Sequence, residues 1–174
     1  MSEQTIQQST ASAERLLGRF LELIVSCDKI SDFTPTRVGR AMARRLDRLP
    51  DRGFGVSQKL TADWWYALAV TPEFFLGPRV TFSFVDDEGG HNRPMTDISR
   101  LDFARLAIRL ESAGFRRTEL YGEHSRQRGY RFRRKELRVE VLTSSEGIES
   151  GSTGSEPTAG EPHENCGVWA VQVS

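Results

Sequence analysis

Three observations predict an α+β fold, a two-layer sandwich in which an antiparallel sheet of about five or six strands carries helices, with two helices at the N-terminus. Apolar residues recur at helical spacing near the start of the chain and again before residue 113. Elsewhere they alternate with polar residues at the period of a strand. From Leu110 to Thr143 a helix stop, turns and strands follow with little slack, which favours sequential antiparallel pairing over crossover connections.

In chain order, residues 1–10 are polar and rich in Gln, Ser and Thr, and read as a disordered start. Leu16, Leu17, Phe20, Leu21, Ile24 and Cys27 form one stripe and predict a first helix over about 11–29. A second helix opens with Thr34 as N-cap and Pro35 at its first position. It turns Val38, Met42, Leu46 and Leu49 inward and closes at Pro50. Trp64–Val70 and Val80–Val85 alternate as the strands of a hairpin, and Asp86-Asp87-Glu88-Gly89-Gly90 breaks the pattern as a solvated turn.

Ser99 and Asp102 form a capping box for a helix that reaches Ala113 and buries Leu101, Ala104 and Ile108. Gly114 suits the left-handed position after its end, with Phe115 as the accompanying apolar contact. Strands follow over about 116–122, 129–134 and 137–143, with turns between Gly122 and Gly129 and at Arg134-Lys135-Glu136. Residues 144–165 are Ser, Gly, Glu, Thr and Pro, and read as a flexible acidic loop. Residues 166–174 form a last strand that returns to the domain of residues 11–143 to bury Trp169 and Val171. No internal repeat is legible.

The 174 residues have no net charge, so bulk attraction to nucleic acid or an anionic membrane is not implied. The charges are nevertheless segregated. Residues 100–143 carry twelve positive and six negative side chains, whereas 144–174 carry five glutamates and no Lys or Arg. Two cysteines do not make a disulfide framework, and Cys27 falls in an apolar stripe as a small buried group. The first residues have no basic and apolar leader pattern, and no apolar run approaches the roughly 18–20 residues of a membrane span, so a cytoplasmic location is expected.

Catalytic signatures are sparse. The three histidines are His91, His124 and His163, and there is no phosphate-binding glycine loop or nucleophile elbow. His163 and Cys166 supply half of a zinc site with no second pair to close it, and no cofactor is expected. Asp86, Asp87 and His91 offer the oxygen and nitrogen donors of a metal-dependent enzyme, set against the plainer reading of a turn. Arg37, Arg40, Arg44 and Arg48 recur at helical spacing and would track phosphates if exposed as a stripe. Of the pair Trp64-Trp65, one ring must leave the core. An outward Trp65, with Arg131, Arg133 and Arg138 on the outer face of a hairpin, has the composition of a partner-binding surface.

The run from Ala113-Gly114-Phe115 through Tyr121-Gly122-Glu123-His124 to Tyr130-Arg131-Phe132-Arg133-Arg134 and Leu137–Thr143, with Cys166-Gly167-Val168-Trp169-Ala170-Val171, resembles small bacterial α+β proteins of unknown function. Some of those serve as immunity proteins against toxins or effectors. The resemblance lies in turn and strand patterns of the C-terminal half. It implies stoichiometric inhibition by a rigid face, hence a non-enzymatic protein-binding module. A nucleic-acid-associated regulator using the arginine stripe is the second expectation, and a metal-dependent enzyme the third.

Overall fold

The computed structural model describes residues 3–50, 53–72, 77–86, 103–122, 127–144 and 167–174. Its elements are α1 (Glu3–Val25), a 3-10 turn (Ile30–Asp32), α2 (Pro35–Met42), β1 (Asp47–Arg48), β2 (Phe54–Lys59), β3 (Trp64–Thr71), β4 (Arg79–Asp86), α3 (Phe103–Ser112), β5 (Arg116–Tyr121), β6 (Gln127–Arg134), β7 (Leu137–Ser144) and β8 (Gly167–Val173). The class is α+β as expected, but one sheet of eight strands replaces the expected five or six, in the order β1-β2-β3-β4-β8-β7-β6-β5. All described pairings are antiparallel. In each half of the chain helical structure (α1, the 3-10 turn and α2; then α3) precedes a four-strand meander, and the two meanders join where β4 pairs with β8, Phe82 opposite Val171.

Of the two strands not expected, β1 falls within the expected second helix and β2 lies just beyond its end at Pro50. Only α1 is an N-terminal helix, and it starts at Glu3 rather than near residue 11. The second expected helix shrinks to the two turns of α2. Its start is as read, Thr34 Oγ1 accepting from the Arg37 N–H at 3.2 Å with Pro35 at the first position. Its end is not: Ala43 adopts a left-handed conformation at φ 52°, and the Arg44 N–H returns to the Gly39 carbonyl. Gly39 permits this fold-back, because a Cβ there would lie 2.8 Å from the Arg44 carbonyl oxygen. Leu46 and Leu49, which extended the helical stripe on paper, flank β1 instead.

The helices cover one face. Phe20 of α1 stacks on Phe82 at 5.4 Å, and Phe103 of α3 on Tyr130 at 4.1 Å. Between them lie Trp64, Tyr66, Leu68, Phe84, Phe132, Val139, Val141, Val171 and Val173, all buried. The end of α3 is as expected: Gly114 has φ 86°, the Phe115 N–H bonds to the Leu110 carbonyl, and Phe115 is buried. Its inward face differs, since Phe103, Leu106, Ala107 and Leu110 are buried while Ile108 is 63% exposed. Ser99 and Leu101 lie outside the described residues.

Arg134, at the end of β6, ties the layers together. Its guanidinium donates to the carbonyls of Val25 and Cys27 at the end of α1 and to that of Ala113 at the end of α3, and rests on the Phe115 ring. One cation therefore meets the negative ends of two helices. Asp28 stands beside it, its carboxyl held below the usual range chiefly by a hydrogen bond from Lys135. Cys27 is buried as read, and burial pushes its thiol above the usual range. Cys166 and its relation to Cys27 lie outside the described residues.

Candidate functional site

No described helix packs on the other face of the sheet, and strand alternation decides what stands there. Across the middle of β3 and β4 the outward positions are Ala67, Ala69, Thr81 and Ser83, small and neutral, with Trp65 and Val85 toward one end and Thr71 and Arg79 toward the other. In β5, β6 and β7 they include Arg116, Arg131, Arg133 and Arg138. The register places Arg116 opposite Arg133, and Arg133 opposite Arg138. Three guanidinium side chains therefore root side by side, roughly 5 Å apart from strand to strand. All three residues are exposed, and none has a side-chain hydrogen bond or ion pair among the described residues.

The neighbouring row behaves differently. Arg131 lies opposite Glu140 and meets it through Nε and Nη2 at 2.9 and 2.8 Å, with Thr118 on its other side. One arginine of the outer face is thus neutralised within the sheet and three are not. Like charges directly opposite one another destabilise a sheet pair, so the uncompensated row is an unfavourable feature of the isolated fold.

Of the residues the sequence singled out for partner binding, Arg131, Arg133 and Arg138 come together on this surface. Trp65 does not join them. It faces outward as expected, 37% exposed with the Lys59 ammonium 5.7 Å from its ring, while Trp64 is buried. But β3 and β6 are four strand positions apart, roughly 19 Å. Arg116 was missed because its strand opens on two arginines and shows no apolar alternation; only the register reveals its neighbours.

The arginine stripe of the second helix does not assemble. Arg37 bonds to the Ser26 carbonyl at 3.0 Å. Arg44 lies beyond the helix and donates to Gln58 Oε1 at 3.0 Å and Tyr66 Oη at 3.2 Å. Arg48, on β1, places its guanidinium 5.9 Å from the Phe54 ring. Arg40 alone of the four has no side-chain partner among the described residues.

Asp86 is the last residue of β4 and is 2% exposed on the helix side, opposite Trp64, rather than part of a solvated turn. Its burial follows from the strand running one residue further than the alternation of apolar residues indicated. Asp87 and His91, like His124 and His163, lie outside the described residues. Among those described, no three His, Cys, Asp or Glu side chains gather as a metal site.

A half-open cleft of about 240 Å³ lies between the 3-10 turn with the start of α2 and the ends of β3 and β4. Ile30, Phe33, Pro35, Val70 and Val80 make its walls apolar. No described helix is long and apolar enough to cross a membrane. No protein-family model, curated protein or solved structure matches this chain.

Proposed function

We propose that this chain is a non-enzymatic protein-binding module whose docking surface is the open face of β5–β7, and that its partner presents an acidic surface there. The mode of action would be that of an inhibitor or immunity protein, occluding a partner's working surface in a one-to-one complex. The observation that carries the reading is the row Arg116–Arg133–Arg138, exposed and without described counter-charges beside a row in which Arg131 has its glutamate. Arginine is enriched at interface hot spots, and complementary charge speeds encounter and fixes orientation.

Phosphates would meet the same row, which makes nucleic acid the second reading. The two separate in one experiment. The tagged chain and its Arg133→Glu, Arg138→Glu double variant are incubated with nuclease-treated extract of the native cell, and any captured protein is then purified and titrated against both. The expected result is a single nuclease-resistant protein at near-equal amount, whose affinity falls at least tenfold for the double variant. Equal binding by the variant removes the surface from consideration. Capture only of nucleic acid, released steeply by salt, replaces the protein reading with the phosphate one.

A further inference from the structure

The strand order ends at β5, whose outer edge has no pairing strand among the described residues. Natural edges are commonly guarded by charge, which repels any approaching strand. On β5 the guard is of mixed sign. Arg117 and Glu119 project from the helix side of the strand, since they lie opposite Phe132 and Tyr130, and both are exposed.

The spacing of these charges is self-complementary. If two β5 strands pair antiparallel about Thr118, with both copies facing the same way, Arg117 falls opposite Glu119 of the second copy and Glu119 opposite its Arg117. Moving the centre by one residue sets Arg117 against Arg117 or Glu119 against Glu119, like charges in direct opposition. A slip that preserved the charges would turn the side chains to the wrong face. One register is therefore favoured, and the β-bulge between Leu120 and Tyr121 closes the paired stretch at its far end.

The helix layer agrees. On α3, Arg109 turns toward α1, pairing with Glu22 at 3.0 Å, whereas Glu111 turns toward β5, pairing with Arg117 at 3.2 Å. Ile108 stands three residues before Glu111 on the solvent side of α3, away from its buried face of Phe103, Leu106, Ala107 and Leu110. It is 63% exposed, and Tyr121 on β5 itself is 56% exposed; with Trp65 they are the exposed large apolar residues of the described chain. Two of those three therefore belong to the elements at this edge.

We propose that the chain forms a two-fold homodimer through this edge, β5 pairing with β5 of the second copy about Thr118 and α3 bringing Ile108 toward Ile108 above it. The sheet continues from one copy into the next, and both arginine rows stand on the same outer surface. Five or six paired residues and one apolar side chain give an interface at the small end of the range, so the dimer is weak and concentration-dependent.

The test is sedimentation equilibrium of the full chain up to millimolar concentration, with circular dichroism confirming the fold of each variant. The wild type is expected to move reversibly from monomer to dimer. Glu119→Arg sets like charges opposite and is expected to weaken dimerisation at least tenfold, as is Ile108→Arg on the helix. Adding Arg117→Glu to Glu119→Arg restores the cross-strand attraction and should recover the dimer. A wild type that stays monomeric overturns the proposal. So does a dimer left intact by both single variants, or one that the charge swap fails to rescue.

Discussion

The two halves of the sheet share a plan and differ in what they expose. Each is a four-strand antiparallel meander preceded by helix, α1 and α2 in the first and α3 in the second, the two joined through β4 and β8. Toward the helices both bury apolar side chains, with Trp64, Tyr66, Phe82 and Phe84 dominating the first half and Leu137, Val139, Val141, Val171 and Val173 much of the second. Across the middle of the outer face the first half has Ala67, Ala69, Thr81 and Ser83, with Trp65 and Arg79 toward its ends, where the second half has a row of three arginines. The plan itself is satisfied by alanine, serine and threonine at equivalent places. Arginine at three laterally adjacent positions is an addition that the fold does not require.

The largest expected effect sharpens the structural side of that contrast. Arg134 is half-buried, its side chain 16% exposed, and it caps α1 and α3 at once, whereas the exposed Arg44 of the first half donates to Gln58 and Tyr66. Arg134→Ala leaves three carbonyls without a donor and should cost about 3–4 kcal/mol, lowering Tm by roughly 10 °C. Arg44→Ala should cost about 1 kcal/mol or less. Thermal unfolding of both checks the ranking. Equal losses would mean that the C-terminal half has no special hold on the helices.

Much of this was legible in the sequence, and the gaps have physical causes. Thr34, Pro35 and Gly114 announce their roles because capping and left-handed turns depend on local residue type. The strands from Trp64 to Val70 and from Leu137 to Thr143 announce themselves by alternation. Ala43 does not, since nothing in an alanine signals a left-handed turn, and so the helical stripe runs on to Leu49 over β1, while β2 (Phe54–Lys59) lacks a clear apolar alternation. The duplicated plan was equally invisible. Different sets of buried aromatic and aliphatic side chains satisfy the same strand order without similar sequences. Of the candidate site, Arg131, Arg133 and Arg138 were found by period-two alternation. Their alignment with Arg116 depends on cross-strand register, which a single sequence does not display.

A pair of glycines compares the halves at the level of the backbone. Gly129 lies at φ 152° beside the β-bulge of β5, and a Cβ there would come within 2.0 Å of the Val141 carbonyl oxygen. Gly55 has no positive φ, and its Cβ would lie 2.8 Å from the Leu68 carbonyl oxygen and 3.0 Å from Leu49 Cδ1. Gly129→Ala must displace the β6–β7 ladder and should cost about 2–3 kcal/mol; Gly55→Ala, near the short β1 edge, about 1 kcal/mol. Denaturant midpoints of the two variants measure the difference. A Gly55→Ala loss equal to or larger than that of Gly129→Ala would show the first-half edge to be the more rigid.

The smallest expected effect bears most directly on why the halves differ. Arg133 stands between Arg116 and Arg138, so replacing it removes two like-charge oppositions. Arg133→Glu is therefore expected to stabilise the isolated chain, by about 0.5 kcal/mol or 1–2 °C in Tm at low ionic strength. The gain should fade as salt is raised and the Debye length shrinks to about 3 Å at 1 M. An arginine whose loss strengthens the fold while weakening the complex is a binding residue held against the interest of stability. If Tm falls instead at low salt, Arg133 supports the sheet, and the contrast between the two outer faces becomes a matter of packing rather than of recognition.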